Sequence, residues 1–213
     1  AHVVFDTQSI AAAPYRYLWA GIGETDAKNY EAEISSRGEK LPHYTEVGVG
    51  FSKMCLTPML EYGRQALEDN KKGVATEALE QVVLAIVVTT AIVSIFLTRD
   101  FTPDYNSGLA HACFYALTAY PVIEKEHLHG EVVGFGVLYA LLVDGQQEEF
   151  EKIYALNKEL GLPVRIADIG ITEEQFFETM DRIPQMSDIR HYPYAVTKEM
   201  LMQAYETIEQ LPV

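Results

Sequence analysis

From Gln81 to Thr98 the chain runs through 18 residues, QVVLAIVVTTAIVSIFLT, without a single charged side chain. As a helix this stretch is about 27 Å long, at the lower edge of a bilayer-spanning length. It therefore belongs either in a membrane or in a protein core. Three Thr, one Ser and one Gln dilute it, and no aromatic belt marks its ends. The basic flanks, Lys71 and Lys72 before it and Arg99 after it, give no orientation asymmetry. The rest of the chain is amphipathic and needs an apolar element to pack around. The expectation is a soluble protein, without membrane contact, in which this helix is buried on all sides.

Composition narrows the function classes. The 213 residues suffice for one sizeable domain or two small ones, and 48% hydrophobic with 22% charged residues is ordinary globular usage. Sixteen basic against 31 acidic residues leave a net charge of −15, and no basic cluster offsets it, so nucleic acid is not an expected partner. Cys55 and Cys113 are too few for a disulfide framework or a Cys-rich zinc site, which fits a reducing, cytoplasmic setting. The chain opens at Ala1 without Met, signal peptide or transit-like segment, as expected of a processed chain or an excised piece.

The pattern along the chain is helix after helix. AHVVFDTQSI is the one candidate strand, within a residual linker or strand over residues 1–13. Helices are predicted from Pro14 to about Ser36, interrupted near Gly21 and Gly23, and from Ser52 to Lys72 with Gly73 as the stop. Others follow at about 76–98, 109–120, 130–143 and 147–160, with further starts at Thr172 and Thr197. RDFTPDYNSG, from Arg99 to Gly108, reads as a loop. The fold class is all-α, a single multi-helix domain arranged around the apolar helix. No glycine-rich turn follows a strand, and there is no Walker loop or nucleophile elbow, so a nucleotide would be held mostly outside this chain.

Of six histidines, His111 and His129 stand out. They lie 18 residues apart, near the starts of two helices joined by the Pro121 turn, and antiparallel neighbours of that kind can bring two imidazoles together. A metal also wants a carboxylate. The best distant candidate is Glu24 in GIGETDAKNYEAE, with Lys28 and Glu31 on the same helical face. Cys113 faces another side of its helix from His111 and reads as core filler, His127 as an exposed loop residue, and His191 as a loop residue without a role.

GLAHA at 108–112 is followed, 18 residues after its His, by LHGEVVGFGVLYAL. With VVFDTQSIAAAP and PYRYLWAGIGETDAKNYEA before them, these segments resemble, in the same order, the glycerol dehydrogenase branch of the iron-containing alcohol dehydrogenase family. The resemblance covers most of the first 150 residues. It implies the C-terminal, all-helical, metal-holding domain of such an enzyme, without the N-terminal dinucleotide-binding domain. By similarity Glu24, His111 and His129 are the metal ligands. The family's usual Asp is replaced here by Glu24, with Asp26 as a neighbour that could substitute.

The iron-binding branch resembles a four-ligand set, with another His where this chain has Lys28. One carboxylate and two imidazoles with an open position suit zinc better than iron. The parent enzyme would interconvert a small polyol, alcohol or hydroxy acid with its carbonyl form, using NAD or NADP bound mainly by the missing domain. Phe101, Tyr105 and Asn106, in the loop before His111, are candidate pocket contacts, with an ordinary solvated turn as the other reading. Three alternatives stay open: a metal-free reductase of 2-oxo acids from the same family, a dehydroquinate-synthase-like lyase, and a non-enzymatic helical interaction domain. Homo-oligomers through helical surfaces are expected by analogy.

Overall fold

The computed structural model describes residues 2–98 and 104–212, and among them there is no strand. Where the sequence offered a linker or a candidate strand, residues 2–13 hold a short helix: α1 (Thr7–Ala11) starts where the Asp6 carboxylate accepts the Gln8 N–H. That local cap outweighs the β-leaning residues before it. Helix α2 (Tyr15–Ser36) begins just after Pro14 and runs through Gly21 and Gly23 without a break. Helix α3 (His43–Lys72) starts earlier than expected, carries Pro58 inside it, and ends on Gly73 with φ 69°. The left-handed turn there is one that glycine adopts without strain.

The apolar stretch forms α4 (Glu77–Leu84) and α5 (Thr90–Leu97), joined through a π-helical turn at Ala85–Thr89 into one helix over Glu77–Leu97. By length and composition it could cross a membrane. It is not buried on all sides, contrary to expectation. One face packs on α2 and α3, while Val87, Ile92 and Ile95 stay exposed, Ile95 at 73%.

The central position belongs to another helix. After α6 (Leu109–Leu117) and α7 (Pro121–Glu126) comes α8 (His129–Val143), with thirteen of its fifteen residues buried. Apolar all round, it is the core helix, and α2, α6 and α9 (Gln147–Leu160) pack against it. Helix α10 (Glu173–Arg182) starts on a capping box of Thr172 with Gln175, and α11 (Lys198–Glu209) on the Thr197 cap. The capping residues alone marked those two starts.

Glycines set how closely the helices cross α8. A Cβ on Gly130 would lie 2.1 Å from the Ala20 carbonyl oxygen and 2.9 Å from the Glu24 Cβ. One on Gly23 would meet the Gly130 carbonyl oxygen at 2.4 Å, and one on Gly136 the Ala110 carbonyl oxygen at 2.6 Å. Backbone therefore touches backbone where α2 and α6 cross α8. Gly23, which reads as a helix interruption in the sequence, is a contact point.

Candidate metal centre

These crossings place three side chains side by side. Glu24 follows Gly23 on α2, His129 precedes Gly130 at the start of α8, and His111 follows Ala110 in the first turn of α6. One donor atom from each of Glu24, His111 and His129 lies within 4.8 Å of the other two. His111 Nε2 is 3.4 Å from Glu24 Oε1, and His129 Nε2 is 3.1 Å from Glu24 Oε2. Two-bond separations around a tetrahedral zinc are about 3.3 Å by the usual bond lengths. Glu24 Oε2 is buried and accepts no hydrogen bond, although His129 stands beside it. A buried carboxylate oxygen needs a partner, and one left without a hydrogen bond between two imidazoles fits a cation.

The electrostatics favour a charged carboxylate. Burial opposes ionisation of Glu24, but the His111 and His129 rings and the Lys28 ammonium outweigh it and hold the carboxyl well below its usual range. For His111, burial likewise opposes the charged form, yet the Glu31 and Glu24 carboxylates push its pKa up to about 9. The two carboxylates on either side of the ring thus favour its charged form. A divalent cation would take the place of its Nε2 proton.

Lys28 lies one turn beyond Glu24 and is buried. Its Nζ pairs with Glu24 Oε1 at 3.1 Å and donates to the Asn106 main-chain carbonyl at 3.2 Å. As an ammonium it offers no lone pair to a metal. Asp26 is not brought to the histidines. It is fully buried on α2 with neither oxygen partnered, and burial pushes its carboxyl well above the usual range.

The proposed pocket residues separate. Asn106 reaches the centre through its main-chain carbonyl, which accepts from Lys28. Tyr105 packs into a small cluster with Ala32, Cys55, Val93 and Leu97 and lies against the His191 ring, centroids 4.2 Å apart. Phe101 lies outside the described residues. His127 is partly buried, its Nδ1 2.6 Å from Glu131 Oε1, so the expectation of an exposed loop residue is corrected. His191 fastens its turn to Asp104 and Glu39, at 2.6 and 3.3 Å. Cys113 is buried, as core filler should be.

Two aromatic residues beside the centre escaped the sequence reading. The Phe114 ring meets His129 edge-on at 4.3 Å between centroids, and Tyr115 stands 6.3 Å from His111 and 6.4 Å from His129. Tyr115 is half exposed and lies one turn after His111, a spacing that signals the same helical face.

No family model matches the chain. Individual proteins do. The glycerol dehydrogenase of Pseudomonas putida is 32% identical over 222 residues, 99% of this chain and 58% of that protein. The chain is a homologue of the glycerol dehydrogenases. The resemblance read from GLAHA and LHGEVVGFGVLYAL led to that branch of the iron-containing alcohol dehydrogenases. Hydroxycarboxylate dehydrogenase A of Escherichia coli is 29% identical over 213 residues, 97% of this chain and 57% of that protein. A solved structure from Sinorhizobium meliloti, described as a probable glycerol dehydrogenase, superposes with a TM-score of 0.80 at 25% identity. It matches 96% of this chain and 57% of that one. The chain thus spans about half the length of the curated relatives it matches.

Proposed function

We propose that this chain is the metal-holding helical part of an NAD(P)-dependent oxidoreductase that interconverts a small polyol, alcohol or hydroxy acid with its carbonyl form. The observation that carries the proposal is the convergence of Glu24, His111 and His129 ligand atoms around a buried Glu24 oxygen that accepts no hydrogen bond. Those three residues would hold a divalent cation. When bound, such a cation polarises the substrate oxygen and lowers the alcohol pKa, so that the adjacent carbon can release hydride to nicotinamide. Zinc is favoured over iron because Lys28, tied to Glu24 and Asn106, supplies no fourth protein donor. Phe114 and Tyr115 would form the wall beside the substrate and exclude water from it. The dinucleotide would be held mainly by sequence that this chain does not contain, and the free, buried Cys55 and Cys113 are consistent with a cytoplasmic enzyme.

Lys28 also favours a second reading, a reductase of 2-oxo acids that works without metal. Its ammonium already supplies a positive charge to Glu24, and a relative named for hydroxycarboxylates matches the chain over nearly its whole length. The two readings separate in one assay. NAD(P)H oxidation by the full-length enzyme would be followed with glycerol-derived ketones and with 2-oxo acids, before and after chelation. On the metal reading, chelation abolishes turnover and Zn²⁺ restores it. Turnover of 2-oxo acids that survives complete metal removal would establish the other.

A further inference from the structure

Glu31 sits seven residues after Glu24 on α2, two turns along nearly the same face, and its side chain is fully buried. Both of its oxygens serve α6. Oε1 accepts the main-chain N–H groups of Gly108 at 2.8 Å and His111 at 2.9 Å, two of the donors that a helix start leaves unpaired. Oε2 lies 2.6 Å from His111 Nδ1. A carboxylate can only accept, so the proton of this contact sits on Nδ1. The other ring nitrogen, Nε2, is the one that faces Glu24.

We infer that Glu31 is the positioning residue of the centre: by holding both the backbone and the ring of His111, it keeps the proton on Nδ1 and presents the Nε2 lone pair to the cation. The inference rests on the metal reading of Glu24, His111 and His129. Glu31 is not one of the three converging ligand residues. Its effect passes through the orientation and tautomer of one ligand, and outer partners of this kind commonly change metal affinity by about 10–100-fold.

Glu31→Gln separates this role from simple capping. The Gln carbonyl oxygen can still accept the Gly108 and His111 N–H groups. Its amide nitrogen then faces Nδ1, which must accept, and the ring proton moves to Nε2, where it blocks the ligand position. Zn²⁺ affinity of the full chain would be measured by competition with a chromophoric chelator for the wild type, Glu31→Gln, Glu31→Asp and His111→Ala. The expected result is a loss of about 10–100-fold in Glu31→Gln at unchanged circular dichroism, with partial recovery in Glu31→Asp. Wild-type affinity in Glu31→Gln while His111→Ala loses zinc would overturn the role of Glu31. Zinc binding unaffected by His111→Ala would overturn the metal reading beneath it. If Glu31→Gln does not fold, long-range ¹H–¹⁵N spectra of the zinc-loaded wild type decide: a proton on His111 Nδ1 supports the inference, and one on Nε2 refutes it.

Discussion

Glu24 faces the rings of His111 and His129 and the Lys28 side chain, and Lys28 is the one a metal would have to accommodate. A divalent ion between Glu24, His111 and His129 would share Glu24 with an ammonium 3.1 Å from its Oε1. Like charges at such range in a partly buried site repel by amounts that matter. Lys28→Met, close in size and uncharged, is therefore expected to tighten Zn²⁺ binding by at least about tenfold, roughly 1.4 kcal/mol. Chelator competition would read it, and unchanged or weaker binding would mean that Lys28 supports the site. A second carboxylate makes a pH prediction. Asp144 accepts two hydrogen bonds from Arg37 at 2.9 and 2.7 Å, plus one from Gln146 and one from Tyr194. Burial opposes its ionisation, but these donors lower its pKa. The stability it contributes is present above the unfolded value, about 3.9, and is lost as pH falls through the lowered folded value. Asp144→Asn should thus cost about 1–2 kcal/mol near pH 7 and progressively less below about pH 4. Thermal melts across that range check it, and a pH-independent difference would contradict it.

At the scale of elements, the glycines of the α8 crossings do the positioning. Gly130→Ala drives a methyl into the Ala20 carbonyl and the Glu24 side chain, and Gly136→Ala drives one into Ala110, next to His111. Backbone cannot rotate out of the way as a side chain can, so the helices must separate. Each change is expected to cost about 1–3 kcal/mol and to weaken zinc binding as well. Gly50, with nothing near its added Cβ, is the control that should leave metal affinity unchanged. Equal zinc affinity in all three variants would show that the crossings do not govern the site. The same glycines explain part of what the sequence hid. In a helical stretch, Gly21 and Gly23 look like breakers, because local propensity says nothing about the neighbour they admit. Starts marked by side-chain caps, at Thr172 and Thr197, were legible because the signal is local. The α1 cap at Asp6 is local too, but it was masked by the β-leaning AHVVF.

For the whole molecule, the fold class was legible, as was the meeting of Glu24, His111 and His129, and the placement of the core was not. Eighteen uncharged residues pointed to α4–α5 as the centre, yet that helix leaves Ile92 and Ile95 exposed while α8 takes the interior. Hydrophobicity alone reports that a helix wants cover, not which element provides it. His111 and His129 were found by spacing and resemblance, whereas Phe114 and Tyr115 depend on how α6 turns against α8, which no linear pattern states. Glu31 was visible only as a residue on the Glu24 face. Its two main-chain hydrogen bonds and its contact with His111 are made across 77 to 80 residues of sequence. The measurement that bears most directly on the molecule's chemistry is metal content by elemental mass spectrometry, on untagged protein equilibrated with Zn²⁺ and then desalted. About one zinc per chain in the wild type, with essentially none in a His111→Ala/His129→Ala double variant of unchanged helical content, is the predicted result. Zinc absent from the wild type, or retained equally by the double variant, would contradict a metal centre at Glu24, His111 and His129.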